Sequence, residues 1–129
     1  MAQCHEPEDS LDDFPTPPWA TRALCEFVLD KADLKSQSVY EPAVGRGHMI
    51  RTLAEYFGVC SGSDVADYGE GYPVMDFLRL EVRSEHRCIP KFAPADWVIT
   101  NPPFKLAEDF VYRALRMSRV GVAMLVRTV

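Results

Sequence analysis

Short apolar runs alternate with segments of helical length through most of this chain. Ser38 to Pro42, Val59 to Val65, Asp96 to Thr100 and Val122 to Val129 read as strands, with a weaker one at Val74-Met75. Pro18 to Lys31, His48 to Phe57 and Leu106 to Met117 read as helices; Gly58 is placed to end the second. In the third, Leu106, Phe110, Ala114 and Met117 fall on one face. Residues 77–95 read as one short helix and then a loop around Pro90 and Pro94. Strands that alternate with helices predict an α/β domain, a mostly parallel sheet covered on both faces. Ligands of such sheets sit at the carboxyl ends of the strands, so function is to be read there.

At 129 residues the chain is long enough for one domain with one modest core. Residues 1–13 carry Glu6, Glu8, Asp9, Asp12 and Asp13 and no Lys or Arg, and read as an acidic, flexible N-terminus. They account for the whole net charge of -5, so the domain expected over residues 14–129 is neutral. Its second half is mildly basic; Arg113, Arg116 and Arg119 read as a solvated helix face, with phosphate contact as the alternative. Charge therefore neither requires nor excludes a nucleic-acid partner. No signal-like or membrane-spanning run is present. Cys4, Cys25, Cys60 and Cys88 are scattered without a C-x-x-C pair, so buried free thiols, a reducing cytoplasm and no metal site are expected.

The strand ends carry the chemistry. The first runs into Glu41-Pro42-Ala43-Val44-Gly45-Arg46-Gly47, where two glycines permit a tight turn and close backbone approach to a ligand. The third glycine of a dinucleotide fingerprint is replaced by Ile50, which weighs against an NAD enzyme. The second strand ends in Asp64, about 20 residues past the glycine turn, where a carboxylate can accept ribose hydroxyls. Asp76-Phe77 offers an acceptor for an amino group and a ring for stacking. The fourth end is Asn101-Pro102-Pro103-Phe104. Two prolines remove backbone donors, leaving the Asn101 side-chain oxygen and the Pro102 carbonyl as convergent acceptors for an amine. Phe104 supplies a face for a planar group. Each element also occurs as an ordinary turn; their chain order makes the set informative.

These residues resemble S-adenosylmethionine-dependent DNA methyltransferases that modify the N6 amino group of adenine. EPAVGRG is similar to that family's glycine-rich methionine-binding motif, NPPF to its catalytic motif, and DFPTP (Asp13 to Pro17) to its F-x-T-P segment. The resemblance covers Phe14 to the last residue and implies a Rossmann-like class I methyltransferase fold. It also implies roles. Thr16 would hold the methionine carboxylate, with Glu41, Pro42, Gly45 and Gly47 lining the methionine and ribose. Asp64 would take the ribose hydroxyls, and Asp76 with Phe77 the cofactor adenine. Asn101 and Pro102, in the turn stiffened by Pro103, would grip the target amine, and Phe104 would stack on a base flipped out of DNA.

Enzymes of that fold continue with two further strands, so the sheet is expected to lack its C-terminal strands and to expose an apolar edge, through which a homodimer could form. A Pro-Cys pair, the usual nucleophile context for cytosine C5 methylation, is absent. Protein glutamine and RNA guanine remain alternative acceptors, because enzymes acting on them share the Asn-Pro-Pro-aromatic motif. A non-catalytic, cofactor-binding interaction module is the alternative from another class.

Overall fold

The computed structural model describes residues 14–29, 33–79 and 94–127. Helix α1 spans Pro18–Ala23 and opens with proline, whose missing N–H costs nothing in a first turn. It runs into a π-helical turn, Leu24–Val28, where the Leu29 N–H reaches the Leu24 carbonyl at 3.0 Å. The expected single helix therefore changes its winding at Leu24, and its predicted end near Lys31 lies outside the described residues. Strand β1 is Ser38–Glu41, helix α2 His48–Leu53, strand β2 Val59–Gly62 and strand β3 Ala95–Thr100. Helix α3, Ala107–Met117, is followed directly by strand β4, Ser118–Met124.

All pairings are parallel and the strand order is β2-β1-β3-β4. The chain leaves β1 for β2 on one side and returns to place β3 on the other. The crevice between β1 and β3 is thus the topological switch point, where the carboxyl ends of neighbouring strands diverge. Glu41 closes one of those strands and Asn101 follows the other.

Strand alternation divides the core between the two faces of the sheet. Val39 and Ile99 point to one face and pack with Cys25, Met49, Leu53 and Phe57 beneath α1 and α2. Tyr40 and Val98 point to the other and pack with Phe77, Phe110, Ala114 and Met117, the last three of these in or against α3. Gly62 permits the close approach of α2 to β2: a Cβ there would lie 2.8 Å from Val44 Cγ2 and 2.9 Å from Ile50 Cδ1.

Several boundaries depart from the sequence expectation. The last strand begins at Ser118, not Val122, and ends at Met124. Register with β3 explains this, since Ala95 pairs with Ser118 and Thr100 with Met124. The second strand stops at Gly62, and the weak strand at Val74-Met75 is a single bridge from Asp64 to Val74. Helix α2 ends at Leu53, before Gly58; the Gly58 N–H instead donates to the Leu34 and Gln37 carbonyls. The segment after Asp76 forms a 3-10 turn, Phe77–Arg79, and its continuation lies outside the described residues. The three arginines do not share one solvated face. Arg113 is half-buried, Arg116 is exposed, and Arg119 lies in β4, 3.6 Å from the Asp96 carboxylate. Among the described residues Cys25 and Cys60 are free thiols, and burial pushes the Cys25 thiol up to about 11. No described helix is long and apolar enough to cross a membrane.

Candidate active site

A cavity of about 590 Å³ opens at the carboxyl ends of β1, β2 and β3. Three of the sequence motifs meet there. Glu41, Pro42 and Gly45 come from the end of β1 and the turn after it, Asp64 from beyond β2, and Asn101 and Pro103 from beyond β3. Phe14 and Thr16 close one side, and Asp76 with Phe77 another. Gly47, Pro102 and Phe104 are not among the lining residues.

The glycine turn is held from below. Gly45 has φ 54° and Gly47 φ 86°, both in the left-handed region that glycine adopts without strain. The Gly45 N–H donates to Asp64 Oδ2 at 2.9 Å, and the Ala66 N–H donates to Asp64 Oδ1 at 3.1 Å. Asp64 therefore ties the turn after β1 to the loop after β2. Each carboxylate oxygen retains a lone pair for a ligand hydroxyl. Gly47 serves the packing of the turn. A Cβ there would meet Tyr72 Oη at 2.6 Å, so the glycine lets the 66–73 loop close over the turn.

Glu41 is the electrostatic centre of the site. It is 2 % exposed, and its Oε2 is buried without a hydrogen-bond partner among the described residues. Burial raises its carboxyl well above the usual glutamate range, the Asp64 charge adds to this, and a hydrogen bond from the Ile50 N–H opposes it. A buried acid with one oxygen unspent on a cavity wall is suited to a hydrogen bond with a ligand.

Asn101 is held by the segment that precedes α1. Its Nδ2 lies 3.4 Å from the Phe14 carbonyl oxygen and 3.4 Å from Thr16 Oγ1. Thr16 is 5 % exposed. After Asn101 the chain turns through Pro103, whose carbonyl accepts from the Leu106 N–H at 3.0 Å. That bond closes the 3-10 turn Phe104–Leu106. The Phe104 ring is not part of the cavity lining and has the Arg127 guanidinium 4.5 Å above its centroid.

Asp76 and Phe77 have local structural work. Asp76 Oδ1 accepts from the Leu78 N–H at 3.1 Å, and its Oδ2 pairs with Arg79 at 3.3 Å. Phe77 is 1 % exposed, its ring 5.0 Å from Phe110 and 6.0 Å from Tyr40. It belongs to the core and forms part of the cavity floor. Sequence reasoning did not single out Arg46, His48, Val65 or Tyr68, all of which line the cavity. Arg46 stands over the Tyr68 ring at 5.7 Å. Their one signal is adjacency to the glycine turn and to Asp64. No group of three or more His, Cys, Asp or Glu side chains among the described residues could hold a metal ion.

Two solved structures show the same arrangement of elements. One is a candidate RNA methyltransferase of Pyrococcus horikoshii, with a TM-score of 0.66 and 18% identity, covering 97% of this chain and 69% of that one. The other is the methyltransferase subunit of a type I restriction-modification system from Streptococcus thermophilus. It gives a TM-score of 0.54 and 15% identity, covering 92% of this chain and 38% of the subunit. The fold is a methyltransferase fold. At these identities the likeness concerns architecture alone, and the chain spans well under half of the restriction-system subunit. No protein-family model and no curated protein matches the sequence.

Proposed function

We propose that this chain binds S-adenosylmethionine in the cavity at the switch point and directs its methyl group to an exocyclic amine, the N6 amino group of adenine in DNA. The observation that carries the reading is the convergence of Glu41, Gly45, Asp64 and Asn101, from three strand ends, on one cavity of about 590 Å³. The residues fit the cofactor. A volume of that order is within the ordinary range for small-molecule sites. The unspent Glu41 oxygen suits a hydrogen-bonding group of the ligand, and the glycine turn lets backbone approach closely. Thr16, Glu41, Pro42, Gly45 and Asp64 would hold the cofactor, with Asp76 and Phe77 at the adenine end and Gly47 allowing the turn.

When bound, S-adenosylmethionine supplies an electrophilic methyl group on a sulfonium. The chain's own contribution is position and electrostatics. Asn101 offers its side-chain oxygen, and Pro102 its carbonyl, to the two hydrogens of the amine. An amine held by two acceptors would keep its lone pair available instead of delocalised into the ring, so these two residues would orient the acceptor and favour its attack. Pro103 stiffens the turn, and Phe104 offers its ring to a base removed from the stack.

RNA is the second acceptor class, favoured by the description of the Pyrococcus structure as a candidate RNA methyltransferase. The test is calorimetric titration of the chain with S-adenosylmethionine, followed by transfer of labelled methyl to duplex DNA, RNA and glutamine-bearing peptide. Label in adenine of DNA supports the reading. Label in RNA or peptide replaces the acceptor, and cofactor binding without transfer leaves a cofactor-binding interaction module.

A further inference from the structure

The segment before α1 lines one side of the cavity and meets Asn101 with two acceptors. The Phe14 carbonyl oxygen and Thr16 Oγ1 both lie 3.4 Å from Nδ2. A primary amide has two N–H donors on that nitrogen, so both can be engaged at once. A carbonyl oxygen only accepts, which decides the orientation of the amide: the flipped rotamer would set the Asn101 oxygen against the Phe14 oxygen. With the nitrogen turned toward residues 14 and 16, the Asn101 oxygen is the polar atom left for the cavity it lines. The segment is well made for this. Pro15 and Pro17 flank Thr16 and restrict its backbone, and the Thr16 side chain is buried.

We propose that Phe14 and Thr16 are positioning residues: they capture both amide hydrogens of Asn101, present its oxygen to the acceptor amine, and make asparagine, not aspartate, the residue this site requires. The proposal rests on the reading of Asn101 as the group that grips the amine. It gives Thr16 a role toward the acceptor side, in addition to its place in the cofactor cavity. A carboxylate at position 101 has no donor for the Phe14 carbonyl and would place negative charge against it. The Thr16 hydroxyl could rotate to donate, but the carbonyl could not.

The experiment has two readouts. In the first, the Asn101 side-chain amide signals are followed by nitrogen-resolved NMR, assigned by their loss in Asn101→Asp. Thr16→Val, which keeps shape and removes the acceptor, should shift them and speed their solvent exchange, and Thr16→Ser should bring them back. In the second, Thr16→Val should lower kcat about tenfold, on the scale set by misplacing a reacting group. Measured at saturating cofactor, this kcat loss is separated from any change in cofactor Kd, and Thr16→Ser should recover most of it. Asn101→Asp should bind cofactor and transfer no methyl. Unmoved amide signals in Thr16→Val overturn the proposal. So does a Thr16→Val defect that falls on cofactor affinity and spares kcat, or an Asn101→Asp variant as active as the parent. If the parent chain methylates no acceptor, the acceptor-grip reading fails while the amide signals still decide whether the clamp exists.

Discussion

The Gly45 amide and the Asp64 carboxylate, held at 2.9 Å, join the turns that follow two neighbouring strands. The same carboxylate holds the Ala66 N–H through its other oxygen. Asp64→Asn offers one acceptor where the fold needs two, so an amide N–H is left facing an NH2 group. We expect a loss of about 1–3 kcal/mol of stability, the usual cost of an unsatisfied buried donor. Cofactor affinity should fall at least about tenfold, since each 1.4 kcal/mol is a factor of ten. Urea denaturation and calorimetry measure the two effects separately.

Glu41 makes stability depend on pH. Burial, with the Asp64 charge second, raises its folded value above that of the unfolded chain. The protonated acid is the form the fold accepts. Its contribution is complete below the ordinary glutamate value of about 4.3 and is lost as pH rises through the folded value. Glu41→Gln removes that titration. The parent chain should therefore lose stability relative to Glu41→Gln as pH is raised from about 4 toward neutrality. Parallel stability curves for the two chains across that range would contradict it.

The two glycines of the turn should respond unequally to alanine. Gly45 has nothing within 4 Å of the position a Cβ would take, so its cost is the left-handed backbone alone. That is about 1–2 kcal/mol. Gly47→Ala adds a contact of 2.6 Å with Tyr72 Oη. It should be the more damaging of the two, with Tyr72 and the 66–73 loop displaced. Denaturant midpoints for the pair, and the tyrosine fluorescence of Gly47→Ala, test this ordering.

Arg127 should compete with the acceptor. Its guanidinium lies 4.5 Å over the Phe104 ring, the surface assigned to the target base. An exposed cation–π contact is worth about 0.5–1 kcal/mol. Arg127→Ala should lower the KM for the acceptor about two- to fivefold and leave cofactor affinity unchanged. A raised acceptor KM would instead make Arg127 part of the acceptor surface.

The architecture was readable from local pattern. Short apolar runs and helical repeats are short-range properties, and parallel α/β topology follows from their alternation. Boundaries were less readable, because strand limits depend on the partner. Ser118 to Gly121 lack the look of a strand, yet they run alongside β3 and begin β4. Gly58 resembles a helix stop but serves the approach of the Leu34–Gln37 segment, a contact that no local signal encodes.

Which residue types stand at the strand ends was legible in the chain before it folds: Glu41 and the glycine turn, Asp64, Asp76-Phe77 and Asn101-Pro102-Pro103-Phe104. These are properties of turns, and turn chemistry is local. How each side chain is used was left to the folded molecule. Folding placed Phe77 in the core between Tyr40 and Phe110, set Phe104 beneath Arg127, and left one Glu41 oxygen unpaired at the cavity. It also brought Phe14 and Thr16 to Asn101, partners 87 and 85 positions away along the chain. The physical reason is common to all four. Burial, ring packing and hydrogen-bond partnership are set by groups distant in sequence, and they exist only once the sheet has brought its strand ends together.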